Sequence, residues 1–254
     1  KLEITHGLKP YGLFIYHGDQ ALLHAAVTRE AIRGDIRIKT FGEQKDNDMV
    51  LSYVKQEVKG ISFSVNEEEM RFCVPLLGRH QAINAMAALL CARELQLSDV
   101  DIQSGMAKME KTGMRNELMK THQAYILNDS YKSNPQSTIA AMDTLALLDS
   151  PYKIVVLADM LDMGESSDRI HFNLGKQLAS YQVNEILTYG EMSAYITQGA
   201  LQECDKDVFI RHFNNKQQLI DYLMPYRKKN CMILIKGSRG LKMDEIVDAL
   251  MEER

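Results

Sequence analysis

Residues 231–251 read CMILIKGSRGLKMDEIVDALM. Residues 231–235 form an uninterrupted apolar run, which favours a buried strand, and residues 241–251 have the apolar spacing of an amphipathic helix. The turn between them, residues 236–240, contains a lysine, an arginine and two glycines. A turn that ends a strand and begins a helix directs backbone N–H groups at one point, which suits a carboxylate or a phosphate. The stretch predicts an α/β fold with an anion-binding turn.

A second turn of this kind lies earlier in the chain. Residues 128–135 read NDSYKSNP and follow the apolar run 124–128. Parallel strands present their carboxyl ends at one edge of a sheet, and ligands bind beyond that edge. The two turns therefore predict a single crevice for an anionic ligand.

Two cations of the later turn, Lys236 and Arg239, are the strongest candidates for contact with that ligand. They flank a glycine directly after an apolar strand, where an unpaired charge is costly unless an anion neutralises it. A structural ion pair from the turn to Asp159 or Asp244 is the alternative.

Apolar strands alternate with amphipathic helices from residue 115 onward. This alternation indicates a parallel sheet covered by helices on both faces. The predicted strands are 124–128, 153–157, 185–189, 208–213 and 232–236, and the predicted helices are 136–148, 167–181, 192–202, 216–224 and 241–252.

The earlier part of the chain has a different pattern. Three runs of alternating apolar and polar residues are typical of antiparallel strands, with a strand–helix–strand unit before them and two helices after them. The runs are 49–58, 61–65 and 70–75, the unit is 12–17, 19–32 and 35–41, and the helices are 81–96 and 99–109. We place a domain boundary near residues 111–115, which gives domains 1–112 and 113–254.

Composition limits the classes of function. The chain has 254 residues, 45% of them hydrophobic and 25% charged, as in globular domains. A net charge of −4 argues against nucleic acid as a partner. No apolar run approaches the roughly 20 residues of a membrane span. The 4 cysteines are scattered, which argues against a zinc knuckle or a disulfide framework and favours a cytoplasmic protein.

Four short motifs follow one another along the chain. They are residues 78–85 (GRHQAINA), 128–135 (NDSYKSNP), 158–164 (ADMLDMG) followed by His171, and 236–240 (KGSRG). In order and spacing they resemble the Mur ligase family, and within it the ligases that add D-alanyl-D-alanine. The resemblance spans nearly the whole chain. It implies the carboxyl-terminal part of a central ATPase domain, followed by a Rossmann-like carboxyl-terminal domain.

The resemblance implies an ATP-dependent amide ligase of cell-wall precursor synthesis. Such an enzyme joins D-alanyl-D-alanine to UDP-N-acetylmuramoyl-tripeptide. ATP phosphorylates the substrate carboxylate, the dipeptide amine attacks the acyl phosphate, and phosphate leaves. This chemistry needs Mg²⁺, fixed cations and N–H donors to stabilise the developing charge.

The resemblance also implies roles for particular residues. The expected nucleotide contacts are His80 and Asn84 to adenine, Arg115 to the phosphates and Asp129 to the ribose. The expected contacts to the peptide substrate are Tyr131, Asn134, Asp159 and Ser238, with Lys236 and Arg239 as the catalytic cations.

Each polar residue also has a structural alternative. His80, Asn84, Asp129 and Asn134 lie near predicted helix starts, where polar side chains commonly act as caps or turn formers. Arg115 lies at the predicted domain boundary, where a lone arginine commonly forms a structural ion pair. A lone helical histidine such as His171 is usually structural.

One part of the family pattern is missing from the sequence. Mur ligases use a phosphate loop, but no G-x-x-x-x-G-K-[ST] motif occurs, and the nearest look-alike, residues 175–177 (GKQ), lacks the first glycine and the hydroxyl. We therefore expect the amino-terminal UDP-binding domain and the first half of the ATPase domain to be absent, and this chain alone not to catalyse. Lys1 resembles a lysine that the family carbamylates to bind Mg²⁺, and an ordinary terminal lysine is the alternative.

Two other functions stay open. The run His80-Gln81-x-x-Asn84-Ala85 also resembles folylpolyglutamate synthases. Residues 129–135 are one residue longer than the matching segment of that group and lack its histidine, which favours the Mur ligases. The second alternative is a non-catalytic module that keeps the crevice for a ligand or a partner.

Overall fold

The computed structural model describes residues 2–29, 34–57, 59–109 and 113–252. They form two compact units, Lys1–Glu110 and Lys111–Arg254. Each unit has its own sheet and its own hydrophobic core.

The first unit holds five strands and three helices among its described residues. They are β1 (Leu13–His17), α1 (Ala21–Arg29), β2 (Arg37–Gly42), β3 (Met49–Glu57), β4 (Gly60–Val65), β5 (Phe72–Val74), α2 (Arg79–Glu94) and α3 (Asp99–Ala107). The sheet order is β1-β2-β3-β4-β5, parallel from β1 to β3 and antiparallel from β3 to β5. The three predicted antiparallel strands are confirmed. Predicted positions 30–32 and 58 lie outside the described residues.

The core of this unit lies between the sheet and α2. Phe63 and Phe72 are fully buried on adjacent strands, with ring centroids 5.8 Å apart. Met86 and Leu89, one turn apart on α2, are also fully buried in this core. This packing fixes α2, which carries the first of the four motifs.

The second unit alternates strands and helices. They are β6 (Glu117–Thr121), β7 (Ala124–Asp129), α4 (Pro135–Leu147), β8 (Lys153–Ala158), α5 (Ser167–Gln177), β9 (Glu185–Tyr189), α6 (Ser193–Glu203), β10 (Phe209–Phe213), α7 (Lys216–Leu223), β11 (Met232–Lys236) and α8 (Asp244–Met251). The sheet order is β10-β9-β8-β11-β7-β6. Strands β7 to β11 all pair in parallel, which confirms the predicted α/β class with a parallel sheet.

One strand of this sheet was not predicted. β6 pairs antiparallel with β7, and Thr121 and Ala124 are register partners across a two-residue turn. His122, in that turn, has φ 35°. Two-residue hairpin turns are usually recognised in a sequence by Asn-Gly or Asp-Gly. This turn is His-Gln, so no sequence signal marked the hairpin.

The phosphate-loop look-alike has a packing role. Gly175 lies on α5, and a Cβ there would collide with the carbonyl oxygen of Ile196 on α6. Gly199 of α6 lies equally close to the carbonyl oxygen of Phe172 on α5. The two glycines let the helices approach closely, so this glycine–lysine pair belongs to a helix–helix contact.

Candidate functional site

Three turns meet at the carboxyl edge of the six-stranded sheet. Because β11 lies between β7 and β8, Lys236 at its end is the register partner of Asp129 on one side and of Leu157 on the other. The turns that follow these strands therefore converge, as the two-turn prediction required.

Lys236 is almost completely buried, with 1% of its surface exposed. Its Nζ lies 2.5 Å from Oδ2 of Asp129 and donates to the carbonyl oxygen of Lys132 at 2.9 Å. Burial lowers the pKa of Lys236, and the charge of Asp129 opposes that shift. The ammonium joins the end of β11 to the end of β7 and to the turn that follows β7.

Two expectations for this pair are corrected. Lys236 is not an unpaired cation waiting for an anion, and its partner is Asp129 rather than Asp159 or Asp244. Asp129 was expected to contact a ribose, but Oδ2 pairs with Lys236 and Oδ1 accepts from the backbone N–H of Asn116 at 3.2 Å. A buried cation beside a buried carboxylate neutralises it, so both side chains hold the framework of the crevice.

Two exposed arginines of this edge lie around Tyr131. The guanidinium carbon of Arg115 is 4.3 Å from the centroid of the Tyr131 ring, and that of Arg239 is 5.5 Å from it. Both arginines are exposed, and Tyr131 is 37% exposed. Within the described part of the chain, neither guanidinium has a carboxylate within ion-pair distance, so the structural ion pair considered for Arg115 is not formed. We call Arg115, Tyr131 and Arg239 the cationic rim.

A cavity of about 250 Å³ adjoins the rim. One wall of the cavity is the side chain of Leu161, which lies close to Gly240. A Cβ atom added at Gly240 would lie only 2.9 Å from Leu161 Cδ1. The cavity therefore combines charged and apolar walls. Its lining residues are Tyr131, Lys132, Ser133, Leu161, Asp162, Ser238, Arg239 and Gly240.

Sequence reasoning did not single out Leu161 or Lys132 as parts of this site. Leu161 is an apolar side chain in a turn, and 43% of its surface is exposed. Exposed apolar residues in turns are common, so the sequence carried no signal for its role. Lys132 contributes its backbone carbonyl, which no sequence pattern reports.

Ser238 and Asp159 bind the turns to one another. The Ser238 N–H donates to the carbonyl oxygen of Asp159 at 3.2 Å, and Ser238 Oγ accepts from the Leu161 N–H at 2.9 Å. The Asp159 carboxylate accepts from the Ser193 N–H, at the first turn of α6, at 2.7 Å. Asp159 is buried, so the structure places it as an anchor of α6 rather than as a side chain that faces substrate.

Asn134 occupies the N-cap of α4. Its side chain accepts from the Ser137 N–H at 2.8 Å, and Ser137 Oγ accepts from the Asn134 N–H at 3.1 Å. This reciprocal arrangement is a capping box, with Pro135 at the first helical position. The structural alternative considered for Asn134 is the one observed.

The later turn does not open directly into a helix. Arg239–Leu241 forms one 3₁₀ turn, Lys242 has left-handed φ 45°, and α8 begins only at Asp244. Asp244 and Glu245 complement the positive end of α8 themselves. The predicted helix start at residue 241 is therefore corrected to Asp244, and Arg239 and Gly240 belong to the 3₁₀ turn.

The two expected adenine contacts lie in the first unit, on α2. Gly78 occupies the N-cap of this helix, so neither His80 nor Asn84 is the capping residue. Asn84 is exposed, and its Nδ2 donates to Oε1 of Gln81 at 3.3 Å. Two neighbouring amides at a helix surface offer donors and acceptors that match the edge of a purine.

Among the described residues, no group of three or more His, Cys, Asp or Glu side chains could hold a metal ion. Lys1 lies outside the described residues. None of the described helices has the length and apolar character required to cross a membrane.

Two family models match the chain. The model described as the Mur ligase middle domain matches residues 1–92. The model described as the Mur ligase glutamate ligase domain matches residues 114–239. Together the two matches include the first three sequence motifs and all of the fourth except Gly240.

Individual relatives agree with these models. The UDP-N-acetylmuramoyl-tripeptide–D-alanyl-D-alanine ligase of Bacillus subtilis (strain 168) is 35% identical, over 99% of this chain and 54% of its own length. MurF from Acinetobacter baumannii has a TM-score of 0.84 at 24% identity, covering 100% of this chain and 54% of that one. MurF from Thermotoga maritima, in complex with ADP, has a TM-score of 0.79 at 18% identity, over 98% and 55%. The chain spans about half the length of these relatives.

Proposed function

Because this chain belongs to the Mur ligase family, we propose that it provides the carboxyl-terminal half of an ATP-dependent amide ligase of peptidoglycan precursor synthesis. The family membership confirms the resemblance that the four motifs predicted. The proposed reaction joins D-alanyl-D-alanine to UDP-N-acetylmuramoyl-tripeptide in the cytoplasm. Support comes from the 35% identical relative whose name states these substrates.

The two units would correspond to two different domains of the ligase. We assign residues 1–112 to the carboxyl-terminal part of the central ATPase domain and residues 113–254 to the carboxyl-terminal domain. ATP is the proposed phosphoryl donor, since a structural neighbour was solved with ADP. We expect these 254 residues to bind ligands without turnover, because the sequence contains no phosphate-loop motif.

The observation that carries the proposal is the cationic rim beside the cavity. Two guanidinium groups that have no carboxylate partner among the described residues, both close to one tyrosine ring, suit a carboxylate or a phosphoryl group. The apolar wall of Leu161 suits the methyl groups of an alanine-based peptide. We propose that Arg239 and Ser238 receive the peptide carboxylate and that Arg115 contacts the phosphates of ATP.

Lys236 and Asp129 take different roles from those first expected. Lys236 is proposed as a positioning residue, since its ammonium holds the turn that carries Tyr131. Charge on the phosphates and on the peptide carboxylate would then be stabilised by the exposed Arg115 and Arg239.

Adenine and Mg²⁺ complete the proposal. His80 and Asn84 are proposed to contact adenine, because residues 78–85 resemble the adenine-contacting segment of the family and the Asn84 amide is exposed on α2. The described His, Cys, Asp and Glu side chains do not form a cluster that fits Mg²⁺, and Lys1, the remaining candidate ligand, lies outside the described residues.

Calorimetric titration of the chain with D-alanyl-D-alanine, UDP-N-acetylmuramoyl-tripeptide and Mg-ATP, each separately, tests the site. We expect Arg239→Ala to weaken binding of a peptide ligand about tenfold to hundredfold, the equivalent of one charged hydrogen bond. Mg-ATP binding through the first unit should change little.

Arg211 offers a matched control. It is also an exposed arginine over aromatic rings, 4.7 Å from the Phe213 centroid and 5.7 Å from that of Tyr222, on β10. Arg211→Ala should leave peptide affinity unchanged. Equal affinities for the two variants, or no binding of either peptide ligand by folded wild-type chain, would refute the assignment of the rim.

A further inference from the structure

His171 is a buried side chain whose two ring nitrogens both have backbone partners. It lies on α5 and is fully buried. Its Nε2 is 2.9 Å from the backbone nitrogen of Met160, and its Nδ1 is 2.7 Å from the carbonyl oxygen of Ser167. Met160 belongs to the turn after β8, so the ring connects a helix to a wall of the site.

These partners define the state of the ring. The Met160 backbone N–H can only donate, so Nε2 must be bare and accept. The Ser167 carbonyl can only accept, so Nδ1 must carry the hydrogen. The ring is therefore neutral, and a protonated ring would have two N–H groups and could not accept from Met160.

The turn after β8 is held at consecutive peptide groups. The N–H of Met160 donates to His171, and the N–H of Leu161 donates to Ser238 Oγ at 2.9 Å. Directly afterwards, Asp162 has φ 65° and Gly164 has φ 67°. A non-glycine residue with positive φ is unfavourable by itself, so contacts from outside the turn must maintain this conformation.

We propose that neutral His171 is a positioning residue for the candidate site. By accepting from Met160 it fixes the turn that places Leu161 and Asp162 against the cavity. Ser238 fixes the same turn at the next peptide group, so the two residues hold one wall of the cavity at adjacent positions. The assignment of a ligand to this wall rests on the proposed function, whereas the fixing of the turn does not.

Two substitutions separate a hydrogen-bonding role from mere filling of space. His171→Leu keeps an apolar side chain in the interior but cannot accept a hydrogen bond. His171→Gln keeps an acceptor oxygen at similar reach. Both variants should be compared with wild type at equal folded fraction, verified by circular dichroism.

Amide hydrogen exchange tests the turn without any ligand. In His171→Leu, we expect the amides of Met160 and Leu161 to exchange at least about tenfold faster, because their protection depends on the bonds described. Amides of β11, such as Leu234, should keep their wild-type rates, and His171→Gln should restore much of the protection at Met160. Unchanged exchange at Met160 in His171→Leu, or equal acceleration at Leu234, would overturn the proposal.

Titration with D-alanyl-D-alanine tests the connection to the site. We expect the dissociation constant to rise about tenfold in His171→Leu and to recover in His171→Gln, because a displaced wall loses contacts with the ligand. Faster exchange without any change in affinity would overturn the positioning role. If wild-type chain does not bind the dipeptide, the proposed function of the rim fails, and the exchange result alone decides the role of His171.

Discussion

At the carboxyl edge of the six-stranded sheet, a buried lysine is neutralised by one carboxylate, whereas at the amino edge a buried carboxylate is surrounded by three phenols. The first cluster is Lys236 with Asp129. The second is Glu185, at the start of β9, which is 1% exposed. The same sheet thus contains two different solutions for a buried charge.

The amino-edge cluster uses neutral donors. The hydroxyls of Tyr152 and Tyr222 donate to Glu185 at 2.8 Å each, and that of Tyr226 also donates to it. Burial and the neighbouring carboxylate raise the pKa of Tyr152 to about 12. Three hydroxyl donors satisfy the carboxylate without an opposite charge.

The comparison shows that a buried charge does not by itself indicate a ligand site. Both clusters are satisfied within the protein. What distinguishes the carboxyl edge is its surroundings, where Arg115 and Arg239 are exposed beside a cavity of about 250 Å³. The exposed arginines are therefore better candidates for ligand binding than the buried pair of Lys236 and Asp129, which holds the surrounding turns in place.

The largest effect is expected from breaking the carboxyl-edge pair. Lys236→Met should lower the free energy of unfolding of the second unit by about 3–5 kcal/mol, because it leaves the Asp129 carboxylate buried without its partner. Urea denaturation followed by circular dichroism measures the change.

A second substitution identifies the cause of that loss. Adding Asp129→Asn to Lys236→Met removes the uncompensated charge, so the double variant should recover a large part of the lost free energy. If the double variant is no more stable than Lys236→Met alone, the buried charge is not the reason for the loss.

Sequence patterns predicted the sheet better than the site, for physical reasons. Continuous apolar runs such as 231–235 favour strands buried on both faces, and the parallel sheet was predicted from them. The pairing of Lys236 with Asp129 joins residues 107 positions apart and depends on the insertion of β11 between β7 and β8. Strand order is set by tertiary packing, and no local pattern encodes it.

Some of the predicted site residues lie at the candidate site, whereas others hold helices in place. Arg239 was predicted from the turn that follows its strand, Tyr131 was predicted from the family resemblance, and the two side chains do lie together. Asn134 shares the turn of Tyr131, and Asp159 lies in the turn after β8, but they serve as anchors of helices α4 and α6. A polar residue at the end of a strand can either face a ligand or hold a helix. Only its hydrogen-bond partners in the folded structure show which of the two it does.

A smaller effect is expected at the amino edge. Glu185→Gln should lower the free energy of unfolding by about 2 kcal/mol, since a hydrogen bond to a charged acceptor is lost while one carbonyl oxygen remains to accept. The same denaturation experiment applies. A loss as large as that of Lys236→Met would mean that the two edges do not differ in the way described.

Alkaline titration examines the phenols directly. The folded pKa of Tyr152, about 12, is above the ordinary value of about 10, so its contribution to stability is complete below pH 10 and is lost as the pH rises through 12. The difference in phenolate absorbance between wild type and Tyr152→Phe should show a step near pH 12. In Glu185→Gln this step should move to lower pH, and an unmoved step would exclude the carboxylate as a cause.

The smallest effect is expected at an exposed ion pair. Lys176 on α5 lies 2.7 Å from Glu203 on α6, with side-chain exposures of 38% and 40%. Lys176→Met is the same substitution as Lys236→Met, but solvent already screens this pair, so we expect a loss of at most about 1 kcal/mol that disappears at high salt. A loss comparable to that of Lys236→Met would show that burial is not what separates the two lysines. A small loss of stability in Lys176→Met would also show that the lysine of the phosphate-loop look-alike matters little to the fold. The structural role of that segment would then lie in the packing of Gly175 against α6.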